Sequence, residues 1–208
     1  MAAPTILKID EVAPEDFPFY FFDANIWIAI IGQMGGSATH ANDQPYLDFW
    51  TIVVQIHERK GTPLLAKKTK NFPKIVIPAV VLSEAINALI NIHGKIYLAA
   101  NPSIVPLGKS FSFKRDYRPL DDYKKKLRQI LSDFHALEEY LEFRDDGFKQ
   151  LNILDEFSNY NSDFDFNDYL YAKMFRGTNI PIVTHDADFS MFPDITIITA
   201  NLKLLKIK

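Results

Sequence analysis

From Phe19 to Ile31 the chain carries just two strongly polar side chains, Asp23 and Asn25. Phe19 to Phe22 reads as a short, fully apolar strand that closes on an acid. Asn25 to Ile31 reads as the start of a buried helix, broken by Gly32, Gly35 and Gly36. A carboxylate between two such segments is costly unless it is hydrogen-bonded, paired or metal-bound. Asp or Asn ahead of an apolar helix is also a common N-cap. Asn25 is placed for that role, which leaves Asp23 free at the C-terminal end of the strand. That edge is where open α/β sheets bind ligands.

The remainder repeats the alternation of apolar strands and helical patterns. Tyr46 to Arg59 has helical spacing, with Leu47, Trp50, Val54 and His57 recurring at three to four residues. Lys74 to Ile77 is a second strand, and Pro78 leads into a helix from Ala79 to His93 that Gly94 is expected to stop. Ile96 to Phe113 reads as loop, Leu120 to Phe143 as one long amphipathic helix or two, and Phe148 to Phe157 as a short one. Asn167 to Phe175 is a helix with Gly177 as its C-cap. Strands follow at Ile180 to Thr184 and Ile195 to Thr199. The expectation is an α/β fold with a mainly parallel central sheet flanked by helices. With 208 residues and no linker or repeat, a single domain spanning 1–208 is the expected organisation.

Composition narrows the chemistry. There is no cysteine, which excludes a disulfide framework, a zinc–thiolate site and a cysteine nucleophile. The N-terminal stretch has no basic region followed by an apolar one, so no signal peptide is expected. Phe17 to Ile31 is too short and too polar at its centre to span a bilayer. A soluble, cytoplasmic protein without membrane contact is the expectation. The net charge of -3 conceals two basic stretches. Arg59 to Lys74 holds six basic residues and no acid, and Lys114 to Arg128 holds seven against three aspartates. Lys67, Lys68, Lys70, Lys124, Lys125 and Arg128 are candidate contacts to a polyanion such as RNA. Solvated surface accounts for the same charges.

Each further acid has a bland role beside a functional one. Glu84 lies two turns into its helix on a polar stripe with Asn87 and Asn91, either a groove border or a solvated face. Asp165 and Asp168 open the Asn167 helix; Asp165 suits its N-cap, while Asp168 faces a pocket. After the strand, Thr184 and Asp186 can both reach above the sheet edge, with Asp188 as a reserve ligand or a cap. His185 points the other way if the strand persists, which gives it a structural role. Gathered together, these carboxylates would raise each other's pKa unless a cation neutralised them. Oxygen ligands without cysteine or a histidine pair suit Mg²⁺ or Mn²⁺, and such ions serve phosphodiester hydrolysis.

Four segments carry a resemblance. Phe22-Asp23-Ala24-Asn25-Ile26, Val81-Leu82-Ser83-Glu84-Ala85, Phe166-Asn167-Asp168-Tyr169 and Val183-Thr184-His185-Asp186-Ala187-Asp188-Phe189 resemble, in order, the acidic motifs of PIN-domain nucleases. The resemblance implies a PIN-like three-layer sandwich and metal-dependent cleavage of RNA. It implies that Asp23, Glu84, Asp168 and Asp186 hold Mg²⁺ or Mn²⁺ and orient the attacking water. Asp188 would add a ligand, and Asn25 and Thr184 would support by hydrogen bonding. Many members are toxins of VapBC-type toxin–antitoxin pairs, which implies a small antitoxin partner. The chain departs from a minimal toxin by insertions around 33–72 and 94–163. These hold both basic stretches and are expected to bind RNA or to shape a homo-oligomer. Two rivals remain. One is a catalytically silent PIN-like scaffold binding RNA or protein. The other is a haloacid-dehalogenase-type phosphatase, against which Asn25 stands where that chemistry wants a second acid.

Overall fold

A strand with no polar face needs cover on both sides, and β2 (Phe19–Phe22) has it. Tyr20, Phe21 and Phe22 are fully buried, and alternate side chains leave opposite faces of the sheet. Tyr20 and Phe22 pack on Phe49, and Phe22 also meets Trp27 and Trp50. Phe21 packs against Tyr171 and Phe175 on the other face. The computed structural model describes residues 2–36, 40–105, 110–147 and 164–207. The helix expected over Phe148 to Phe157 lies outside them.

Among the described residues the strands are β1 (Thr5–Lys8), β2, β3 (Lys74–Pro78), β4 (Leu141–Arg144), β5 (Ile182–Val183) and β6 (Thr196–Thr199). They form one sheet in the order β1-β6-β5-β2-β3-β4, with every neighbouring pair parallel. The longer helices are α1 (Ala24–Met34), α2 (Gln44–Glu58), α4 (Ala79–Ala100), α5 (Asp121–Ala136) and α6 (Phe166–Phe175); α3 (Pro63–Ala66) is one turn. This is the α/β architecture expected: a parallel sheet between helical layers. Trp27 of α1 carries the core outward, meeting Trp50 of α2 and Phe134 of α5.

Several local expectations are corrected. Asp23, not Asn25, is the N-cap of α1: β2 ends at Phe22 and the helix begins at Ala24, so Asp23 is the sole residue between them. Gly94 does not stop α4, which continues to Ala100 through what was expected to be loop. It is buried there because the Tyr117 ring crosses the helix so closely that a Cβ on Gly94 would lie 2.7 Å from the ring. The helix expected to reach Phe143 ends at Ala136, and Leu141–Arg144 forms the edge strand β4 beside β3. Strand β1 had no expectation; Ile6 and Leu7 pair with Ile197 and Ile198.

The connectivity creates one special place. From β2 the chain steps to β3 and β4 on one side, then returns to β5 on the other side of β2. The strand order therefore reverses between β2 and β5, and a crevice opens there beyond their carboxyl ends. Asp23 directly follows β2, and Thr184 directly follows β5.

Candidate metal centre

The reversal point holds Asp23, whose side chain is 3% exposed. One of its oxygens, Oδ1, accepts the Ala24 N–H at 2.6 Å, and Oδ2 accepts the Thr184 hydroxyl at 2.9 Å. The Asn25 amide stands 3.5 Å from the same Oδ2. Burial pushes the Asp23 carboxyl up to about 6, against the two short hydrogen bonds, with Glu84 and Asp186 adding repulsion. Thr184 is fully buried and also accepts the Asp186 N–H at 2.9 Å, while Asp186 Oδ1 accepts the Asp188 N–H at 2.9 Å. A chain of hydrogen bonds thus runs from Asp188 through Asp186 and Thr184 to Asp23.

Asp168 enters from the first turn of α6, where Asp165 caps the helix by accepting the Asn167 N–H at 3.4 Å. Burial first, and then repulsion from Asp23, Asp186, Asp165 and Glu84, together raise the Asp168 carboxyl to about 8. Among the described residues, Asp168, Asp186 and Asp188 form the set that could share a cation, each offering an oxygen within 4.8 Å of the others. An all-carboxylate donor set, buried at one member and mutually repelling, fits a hard divalent cation.

Asp23 and Glu84 stand outside that set. Glu84 Oε2 accepts the Tyr171 hydroxyl at 2.6 Å and the Asn167 amide at 3.1 Å, both from α6. Burial raises the Tyr171 phenol, and Glu84 beside it raises it more. Neither Asn167 nor Tyr171 was singled out in the sequence. Their i, i+4 spacing around Asp168, which puts them on one helix face, was the available signal. Tyr46 was also missed. Its buried hydroxyl lies within 3.0–3.2 Å of Thr184 O, His185 Nδ1, Thr199 Oγ1 and the Ala200 N–H. Those partners are 138–154 residues away, so no local pattern could reveal them.

The two basic stretches lie apart. Lys67, Lys68 and Lys70 are exposed on the approach to β3, where Asn71 and Lys70 bind Glu15 and Asp16 ahead of β2. They sit toward the amino edge of the sheet, away from the carboxylates. Lys124, Lys125 and Arg128 are exposed on α5, and Lys126 Nζ approaches Gly35 at the far end of α1. Lys124 is paired with Asp121 at 3.0 Å, and Arg128 donates to the Lys124 carbonyl at 3.2 Å.

No family model matches the chain, and no curated protein matches it. A solved structure that resembles it is VapBC2 from Rickettsia felis bound to a DNA fragment from their promoter. It is 19% identical over 86% of this chain and 96% of that one, with a TM-score of 0.41. Among the described residues no helix is long and apolar enough to cross a membrane.

Proposed function

We propose that the chain is an endoribonuclease that hydrolyses RNA phosphodiester bonds with the help of Mg²⁺ or Mn²⁺. The observation that carries this reading is the trio Asp168, Asp186 and Asp188, within 4.8 Å of one another beside the point where the strand order reverses. Asp168, Asp186 and Asp188 would hold the ion, with Asp23 buried beneath them. When bound, the ion supplies neutralisation of the phosphate, activation of water and stabilisation of the leaving oxygen.

The protein's own groups have separate tasks. Thr184 fixes the Asp23 carboxylate and the Asp186 backbone at once. Asn167 and Tyr171 hold Glu84 Oε2, so that α4 and α6 keep a constant separation across the site. At neutral pH the Asp168 carboxyl retains a proton in the metal-free protein and must release it to become a ligand. The four-motif resemblance extends the reading to the toxin of a toxin–antitoxin pair, with a small antitoxin partner and a homo-oligomeric state. A neighbouring gene for a small DNA-binding protein, co-purifying with this chain, would support that extension.

The test is calorimetric titration of Mn²⁺ into the purified protein, alongside cleavage of total RNA with Mg²⁺ or Mn²⁺. Asp168→Asn and Asp186→Asn should abolish both binding and cleavage, with folding verified by circular dichroism. RNA binding without cleavage, unchanged by either substitution, would support a silent scaffold instead.

A further inference from the structure

Beside the acid cluster, the packing of α1 against α4 leaves a cleft of about 670 Å³. Its apolar lining is Ile28, Ala29 and Gly32 from α1 with Leu89 and Ile92 from α4. Amides line it too, from Asn25, Gln33 and Asn42, and so does His40. Asp186 belongs to both the cleft and the acid cluster, and Asn25 reaches from the cleft to Asp23. The cleft volume falls within the range of about 300–1,000 Å³ in which proteins enclose small ligands.

The charge of this lining decides what suits it. Among the described residues no lysine or arginine lines the cleft, whereas Asp43 and Asp186 do. A phosphate entering it would meet these two carboxylates and, among the described residues, no lysine or arginine to offset them. A nucleobase has what the lining complements: a neutral flat body for the aliphatic side chains and a hydrogen-bonding edge for the amides. Asn and Gln each offer a donor and an acceptor on one planar group, the pairing that base edges require.

We propose that the α1–α4 cleft is a subsite for one nucleobase of an RNA strand whose adjoining phosphate lies at the acid cluster. A base can enter such a cleft only when it is unpaired and splayed from its neighbours. A base held in a continuous duplex would not reach the cleft. This rests on the ribonuclease reading above. His185, held at Nδ1 by Tyr46, lines the cleft beside Asp186, so one turn sets both the base subsite and a carboxylate.

The experiment titrates the full chain, free of metal, with adenosine, guanosine, cytidine and uridine, and with ribose 5-phosphate as the probe lacking a base. Isoleucine and leucine methyl resonances report occupancy. At least one nucleoside should bind and shift Ile28, Leu89 and Ile92, while ribose 5-phosphate should not. Ala29→Phe, which fills the cleft, should abolish that binding, and the exposed-side variant Asn42→Ala should weaken it by about tenfold, the worth of roughly one hydrogen bond. Binding of ribose 5-phosphate alone overturns the subsite, as does nucleoside binding that survives both substitutions in folded protein. Cleavage of RNA with no nucleoside binding overturns the subsite and leaves the ribonuclease. Nucleoside binding at the cleft without RNA cleavage supports the subsite and removes the ribonuclease.

Discussion

Thr184 is the side chain on which the arrangement of the carboxylates most depends, because its one hydroxyl donates to Asp23 and accepts from Asp186. Thr184→Val keeps the shape and removes the hydroxyl from both the buried Asp23 carboxylate and the half-buried Asp186 N–H. Removing one member of a buried hydrogen bond costs about 1–3 kcal/mol, and that loss should appear as a lower urea midpoint. Thr184→Ser should recover most of it, and an unchanged midpoint in the valine variant would deny the hydroxyl its role. Tyr46→Phe tests the other side of the same turn. Its hydroxyl serves the ends of β5 and β6 together, so its loss should cost about 1–3 kcal/mol as well. Mn²⁺ affinity should fall in this variant by more than in a surface control such as Lys67→Ala. Asp23 was visible in the sequence because an acid between two apolar segments has few inexpensive roles. Its identity as the cap was not, since the choice between Asp23 and Asn25 turns on where the helix begins. Boundaries of that kind are settled by the strand register, Phe22 against Val183, and not by local propensity.

At the level of elements, apolar runs and capping residues exposed β2, β3, β5, β6, α1, α2 and α6, while β1, β4 and the continuation of α4 escaped. The short strand β4 follows a strongly amphipathic helix and takes its conformation from pairing Leu141 with Ile75, a partner distant in sequence. The continuation of α4 through Gly94 escaped because a glycine reads as a stop unless something presses on it. Tyr117 does, and its ring is fully buried. Gly94→Ala would raise the intrinsic helix propensity of α4 by about 1 kcal/mol. Its Cβ would nonetheless sit under 3 Å from that ring, and overpacking of this kind costs about 1–3 kcal/mol. The expected outcome is net destabilisation, read as a lower thermal midpoint. A more stable variant would mean that Tyr117 yields freely and that Gly94 has no packing role.

For the molecule as a whole, a sheet that reverses its strand order between β2 and β5 concentrates negative charge in one place and leaves the metal-free fold to bear it. The folded pKa values of Asp23 and Asp168, about 6 and about 8, lie above the unfolded value of 3.8. The native state therefore binds more protons than the unfolded chain between these limits, and stability must fall as pH rises through them. His57 works in the opposite direction. Burial lowers its pKa while it bridges Lys60 and the Pro73 carbonyl, so its contribution is lost as pH falls. Above about pH 7, past the unfolded histidine value of 6.5, that opposition fades and Asp168 dominates the slope. Urea midpoints measured in EDTA should accordingly decline from about pH 7 to about pH 9 and level off beyond, once the carboxylate is ionised. Asp168→Asn should flatten this decline, since an amide of the same shape carries no charge. Saturating Mn²⁺ should stabilise the wild-type protein more at the alkaline end, where its ligands are already deprotonated, and should leave the Asn variant unmoved. A wild-type midpoint that is level over this window, or that rises equally with Mn²⁺ in both proteins, would mean that Asp168 is not part of a cation site.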